Sequence, residues 1–389
     1  MISTILLIII YLAFISLGLP DSLLGAAWPS MYNGLNVPLH YAGYIFMIIA
    51  GGTVISSVLS EKVIRKFGTG VVTAVSVSMT AAALLGFSFS SNFILLCLLA
   101  VPLGLGAGSV DAALNNYIAL HYKAKHMSWL HCFWGIGASL GPIIMSFFLI
   151  NKNSWNSGYN AISIIQFGLV VILFITLFLW GKNEVNNSKN ESGQKTKFLE
   201  LFRITGVKQV LIAFFCYCTM EATAGLWGSS FLAIEKNIPP ETAARWISLY
   251  YIGITFGRFI SGFLTIKLNN RKMIRIGQCF IFLGTIALVL PLGSILLLPG
   301  LFMIGLGCAP IFPSLLHETP KNFGKENSQA IMGIQMASAY IGTTLMPPLF
   351  GQIGSHIGFT VFPLFIITVL VLQIIVIETM NRKIDKTKD

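Results

Sequence analysis

Long apolar runs broken by short polar tracts dominate the chain. A run of about 20 apolar residues is long enough to cross the hydrocarbon core of a bilayer as a helix. Twelve such segments are expected, at roughly 4–31, 40–60, 70–89, 93–120, 128–150, 160–180, 207–234, 242–266, 273–292, 294–316, 327–351 and 357–379. Several exceed that length, which implies tilt or ends that project from the bilayer. The first run lacks a basic leader and continues past Asp21 toward Trp28, so it reads as a span rather than a signal peptide.

Composition agrees. Of 389 residues, 55% are hydrophobic and 10% charged, against about 25% charged in soluble domains. A soluble enzyme and a disordered chain are both excluded. The net charge of +11 does not point to nucleic acid, because the basic residues lie in tracts between apolar segments. With the spans alternating, 21 of the 25 basic residues fall on one side; Lys152, Lys236 and Arg245 fall on the other, and Arg258 lies inside a segment. That asymmetry places both termini in the cytoplasm of a multi-pass protein of the cell (inner) membrane. The polar stretch that begins at Gly181 divides six segments from six. The expected organisation is an N-terminal bundle over 1–180, a cytoplasmic linker over 181–206 and a C-terminal bundle over 207–389. The six cysteines lie in apolar stretches without paired CxxC spacing, so neither a metal nor a disulfide framework is indicated. No cofactor is implied.

The halves resemble each other. The octet starting at Gly52 matches the one starting at Gly257 at an offset of 205; Gly104-Leu-Gly106 matches Gly305-Leu-Gly307 at 201; Ile136, Gly137 and Pro142 match Ile341, Gly342 and Pro347 at 205. Two parallel six-helix repeats describe one transporter architecture in particular. Here the chain resembles the major facilitator superfamily over its whole length. The loop from Leu59 to Gly68 is similar to that superfamily's cytoplasmic motif, with Glu61 for the usual Asp and Ser57 for a usual Gly. The resemblance implies an all-α membrane fold of two pseudo-symmetric bundles, a monomeric transport unit, and a cytoplasmic gate that uses Glu61 and Arg65.

Charged groups inside a span are costly and default to function. Asp21, Asp111, Glu221 and Arg258 are of this kind. Asp21 follows Pro20, which permits a kink; the bland alternative is an acid bonding freed backbone groups. Asp111 and Asn115 share a helix face at i, i+4, beside Gly104 and Gly108; the alternative is a polar packing seam. Asn116 points about 100° away from Asn115. Glu221 can neutralise a cation, bind substrate or stay neutral. Arg258 suits a structural or gating role better than substrate contact. His131 and Trp134 share a face at i, i+3. Trp28, Trp134 and Trp227 offer flat faces to a sugar ring, although Trp28 fits an interface anchor equally. Gln278, Gln335 and Tyr340 are candidate polar ligands from the C-terminal half.

The stretch from Gly104 to Pro142 narrows the resemblance to the fucose-permease-like sugar transporters and their animal sodium–glucose relatives. That group implies carboxylates on the first and fourth helices, where Asp21 and Asp111 stand; the shorter Asp111 replaces a Glu. The expected function is proton-coupled symport of a sugar or other small polar solute by alternating access, with Asp21, Asp111 and Glu221 carrying the coupling. The rivals are a proton-driven exporter of drugs or metabolites and a sodium-coupled sugar symporter. An intramembrane enzyme is disfavoured, because no HExxH, GxSxG or clustered ligand spacing appears.

Overall fold

The computed structural model describes residues 2–122, 124–180, 201–265 and 267–386. Most of the expected linker, 181–200, lies outside the described residues. Among the described residues are a short 3-10 turn at Leu177–Leu179 and fourteen α-helices: α1 (Ile2–Asp21), α2 (Leu23–Met31), α3 (Tyr41–Phe67), α4 (Thr69–Phe89), α5 (Phe93–His121), α6 (Ala124–Lys152), α7 (Trp155–Ile175), α8 (Val207–Ile234), α9 (Pro240–Leu264), α10 (Asn270–Val289), α11 (Ser294–Cys308), α12 (Ile311–Phe323), α13 (Lys325–Ile357) and α14 (Val361–Asp385). α1 with α2, and α11 with α12, each make one broken span, from Thr4 to Met31 and from Ser294 to Phe323. Proline explains both breaks: Pro20 precedes the turn at Ser22, and Pro310 closes the turn after Cys308. The sixth span runs from Trp155 to Ile175, several residues earlier than its hydropathy suggests. Eleven spans are apolar enough to cross a bilayer alone. The remaining helix, α13, is more polar because its polar side chains find partners inside the protein: Ser338 donates to the Leu211 carbonyl at 2.8 Å, and Gln335 to Thr319 at 2.9 Å.

Glycines set the helix spacing, and they repeat. A side chain at Gly104 would strike the Ile49 carbonyl, and one at Gly305 would strike the Tyr250 carbonyl. Gly52 meets Leu105, and Gly253 meets Leu306. Each partner pair is displaced by the same 201 positions. Gly137 lies against the Ile15 carbonyl, and Gly342 against that of Phe215. The structural counterpart of Gly52 is therefore Gly253, one helical turn from the Gly257 that the sequence match selects.

One face of the molecule gathers the ends of the chain. Arg271, at the start of α10, makes two 2.8 Å bonds to Asp385, and Gly206 lies against Phe323 and Ile384. Tyr11 bonds His126 at 2.8 Å. We call this the terminal face. Toward the opposite face the halves are packed together. Gly25 of α2 meets the Gly225 carbonyl of α8, and Gly43 meets Pro348. Gln352 donates to the Tyr44 hydroxyl at 2.6 Å. Ser146 donates to the Glu241 carbonyl at 2.6 Å. The His40 and His356 rings stand 6.5 Å apart across this seam. One hydrophobic cluster draws on both halves; its N-terminal members lie on this side, while in the C-terminal half it runs on to Phe323 and Ile384 at the terminal face. A second cluster, from Leu6 to Trp180, draws only on the N-terminal half, toward the terminal face. The halves thus share a core at the opposite face and part toward the terminal face.

Two outcomes follow from this packing. Gly104→Val should lower stability by about 1–3 kcal/mol through overpacking, whereas Gly51→Val, which meets nothing within 4 Å, should stay within about 0.5 kcal/mol; thermal unfolding in detergent compares them. The seam should also respond to pH. Burial, and then the charge of His356, hold the His40 pKa below its ordinary 6.5. The sealed form therefore binds fewer protons than a parted one, so the seal is favoured above pH about 6.5 and weakens as pH falls below it. Probes on Asn33→Cys and Ile357→Cys should move apart between pH 7.5 and 5, and His356→Gln should flatten the change.

Candidate functional site

Asp21 is the last residue of α1, where the break at Ser22 ends the helix. It lies within the first span yet is solvent-accessible, so it lines a cavity rather than a packed seam. Gly18, Gly137 and Gly141 let α1 and α6 approach backbone to backbone. That approach brings Trp134 to Asp21: the indole Nε1–H donates to Oδ2 at 2.7 Å.

Asp111 is half-buried on α5. Asn115 donates to its Oδ1 at 2.9 Å and to its carbonyl at 2.9 Å, so the i, i+4 face expected from sequence is formed. Asp111 lies within electrostatic range of Asp21. Tyr340 of α13 comes from the other half; it stands near Ser57 of α3 and within electrostatic range of Asp111. Asn116 is exposed and outside this group.

From the C-terminal half, Glu221 and Arg258 pair at 3.4 Å, with side chains 24% and 22% exposed. The Tyr250 hydroxyl donates to the Glu221 carbonyl at 2.9 Å, tying α8 to α9. The Arg258 guanidinium carbon lies 4.9 Å from the centre of a Trp134 ring, a cation–π distance. Trp134 therefore touches the acid of one half with its edge and the cation of the other with its face. Its neighbour Gly135 is pressed on Thr255 of α9, which holds the two helices in register. His131 packs edge-on to Phe14 at 6.0 Å and feels the Arg258 charge, beside the acids rather than bonded to them.

The two halves contribute matching acids. Asp21 stands four residues before Gly25, and Glu221 four before Gly225, the two glycines that meet. One carboxylate thus sits at the same depth on the first helix of each half. The difference is compensation. Glu221 has Arg258, whereas among the described residues Asp21 and Asp111 have only neutral donors, Trp134 and Asn115.

Four expected ligands lie elsewhere. Trp28 is 0% exposed and donates to the Leu39 carbonyl at 2.6 Å. Trp227 is 0% exposed and donates to the Pro347 carbonyl at 2.7 Å. Each bond lies within its own half, and both indoles belong to the hydrophobic cluster that the halves share. Gln278 bonds Gln373 at 3.3 Å, which in turn bonds the Ala213 carbonyl, and Gln335 bonds Thr319. Their polar groups are satisfied inside the helix packing, so none faces the cavity. Glu61 and Arg65 pair with each other on one exposed turn of α3 at the terminal face, and make no gate across the halves in this state. Sequence reasoning missed Tyr251, whose hydroxyl lies beside Gly225 within range of Asp21 and Glu221. Its signal was the i, i+7 spacing to Arg258, which puts both on one face of α9.

Twelve spans in two matching halves, sealed at one face around a polar cavity, define a secondary transporter. The chain belongs to the Major Facilitator Superfamily, whose family model matches residues 10–317 and 210–385; it is a multi-pass membrane transporter and not an enzyme. It is 23% identical over 317 residues to the glucose/mannose transporter GlcP of Bacillus subtilis (strain 168), covering 79% of this chain and 77% of that one. A di-/tripeptide transporter of Lactococcus lactis subsp. lactis (strain IL1403) is 25% identical over 173 residues, 43% of this chain and 33% of the relative. Among solved structures, the nucleoside transporter NupG superposes with a TM-score of 0.77 at 17% identity, covering 96% of this chain and 98% of that chain. An inward-facing, unoccupied bacterial homologue of Spinster gives 0.73 at 11% identity, covering 99% and 97%.

The bond between the halves' shared tryptophan and Asp21 is testable by a double-mutant cycle. Trp134→Phe should cost about 1.5–3 kcal/mol, as expected for a hydrogen bond to a charged group. In an Asp21→Ala background the same change should cost far less, measured by thermal unfolding at pH 7.5.

Proposed function

We propose that this chain is a proton-coupled symporter of a sugar or similar small polar solute, and that it works as a monomer in the cytoplasmic membrane. The observation that carries the reading is the pair of uncompensated carboxylates, Asp21 and Asp111, in a cavity midway through the spans. Burying an ionised carboxylate without a partner costs several kcal/mol. A carrier that occludes this cavity must neutralise both groups, and proton uptake from water does so. The resemblance to GlcP over 79% of the chain favours a sugar as cargo.

The basic residues put the terminal face in the cytoplasm, so the described state is open inward. The N-terminal half (1–180) and the C-terminal half (207–389) rock about the centre, joined by the linker over 181–206. Opening outward breaks the Gly25–Gly225 and Tyr44–Gln352 contacts, and closing inward brings the turn with Glu61 and Arg65 toward the other half. Glu221 keeps Arg258 as its counter-ion; Arg258 in turn rests on the half-buried Trp134, which together with Asp21 forms the surface offered to a sugar ring. Asn115, Tyr340 and His131 line the approach. A membrane potential near 150 mV supplies about 3.5 kcal/mol per proton, which sustains roughly a few-hundredfold gradient of a neutral solute.

The test is the external pH of de-energised vesicles after pulses of single sugars. Alkalinisation by a sugar, lost in Asp21→Asn and Asp111→Asn while sugar exchange persists, is the expected result. Uptake that follows sodium without a pH change would replace the proton by sodium, and silence to every sugar would favour a proton-driven exporter.

A further inference from the structure

The two halves of the cavity wall are chemically unlike, and their register shows where. The shared 201-residue displacement that pairs Gly104 with Gly305 and Leu105 with Leu306 carries Asp111 onto Phe312, Asn115 onto Leu316 and Asn116 onto His317. Side-chain contacts agree with this pairing. Asp111 of α5 lies within electrostatic range of Asp21 on the first helix of its half. Phe312 of α12 packs against Phe214 at 5.2 Å and Tyr217 at 5.7 Å, on the first helix of the other half. The same helix face is thus polar in the N-terminal half and apolar in the C-terminal half.

That apolar face is not filled. Beyond Phe312 toward the terminal face lies a cavity of about 630 Å³ lined by Pro313, Leu316, His317, Pro320, Lys321 and Met332. It falls in the size range of small-molecule sites. Its two polar side chains are engaged sideways. His317 bonds Asn270 at 3.1 Å, and Lys321 lies 3.6 Å from the buried Glu318. What remains is a carbon surface made of two prolines, a leucine and a methionine. This concavity lies on the helix that carries Phe312, which packs on Tyr217 one turn from Glu221; an apolar surface there gains nothing for a solute that is hydrophilic all round.

We propose that the Leu316–Pro320–Met332 wall is a subsite for an apolar substituent, and that the cargo is an amphipathic sugar derivative, a glycoside with an apolar aglycone, rather than a free hexose. The inference rests on the sugar reading above and extends it. The sugar ring lies against Trp134 and the carboxylates, and the aglycone lies along α12 and α13. Each buried CH2 should improve affinity by about fourfold.

The experiment is competition against labelled glucose binding to the full-length protein in liposomes. The competitors are D-glucose and its methyl, butyl and phenyl β-glucosides. The expected result is a half-inhibitory concentration at least tenfold lower for the butyl and phenyl glucosides than for glucose. Leu316→Asn and Met332→Ser should each reduce the phenyl-glucoside-to-glucose affinity ratio at least fivefold. Leu283→Asn, at an exposed position on the outer surface of α10, should leave that ratio alone and so separates the subsite from partition into lipid. A flat series, or a ratio unmoved by Leu316→Asn, overturns the subsite while glucose binding upholds the sugar reading. Failure of glucose and every glucoside to bind overturns both.

Discussion

A charge without a partner cannot be carried through the low-dielectric interior of a membrane protein, and the arrangement of this molecule turns on that constraint. Among the described residues, Asp21, Asp111, Glu221 and Arg258 are the acidic and basic side chains that sequence marks as costly inside the spans. Two of them, Glu221 and Arg258, answer each other at 3.4 Å. The other two, Asp21 and Asp111, are met by an indole and an amide, which hold their geometry without cancelling their charge. Hydrogen bonds of this kind keep a carboxylate in place in either protonation state. In the function proposed above, the site gains and loses a proton, and the protein around it exposes the site to one side at a time.

Close glycine packing makes that exposure possible. Where Gly104 lies on Ile49 and Gly305 on Tyr250, helices touch through backbone, and each half is stiff. The seam between halves is different in kind. It combines close glycine contacts, the Gln352–Tyr44 and Ser146–Glu241 bonds, two facing histidines and apolar side chains of a cluster that both halves share. Trp134 bridges the two systems, because its edge belongs to the N-terminal acid and its face to the C-terminal cation.

Much of this was legible in the sequence. The twelve spans and the four costly charges follow from hydropathy and from the rarity of ions in lipid. The Asp111–Asn115 face follows from helical spacing. Other features were hidden for physical reasons. Pro20 marked the kink beside Asp21, but the break after Cys308 lies inside a continuous apolar run, and proline in a membrane helix permits a break without requiring one. The repeat register slipped by one turn because Gly253 and Gly257 present the same helix face, so a shift of four residues preserves the pattern. Trp28, Trp227, Gln278 and Gln335 have side chains that suit a sugar, but residue type does not say which way a side chain points; all four turned to partners within the packing. The pairing of Asp21 with Glu221 was present in the sequence as an acid four residues before a glycine, and became meaningful only when the glycines were seen to meet.

The central claim is that sugar binding and neutralisation of Asp21 and Asp111 are one event. Infrared difference spectra of the purified protein at pH 7.5, with and without a transported sugar, test it most directly. The account predicts a new carbonyl band of protonated carboxylic acid on sugar addition, diminished in Asp21→Asn and in Asp111→Asn. Saturating sugar with an unchanged carboxyl region would contradict it.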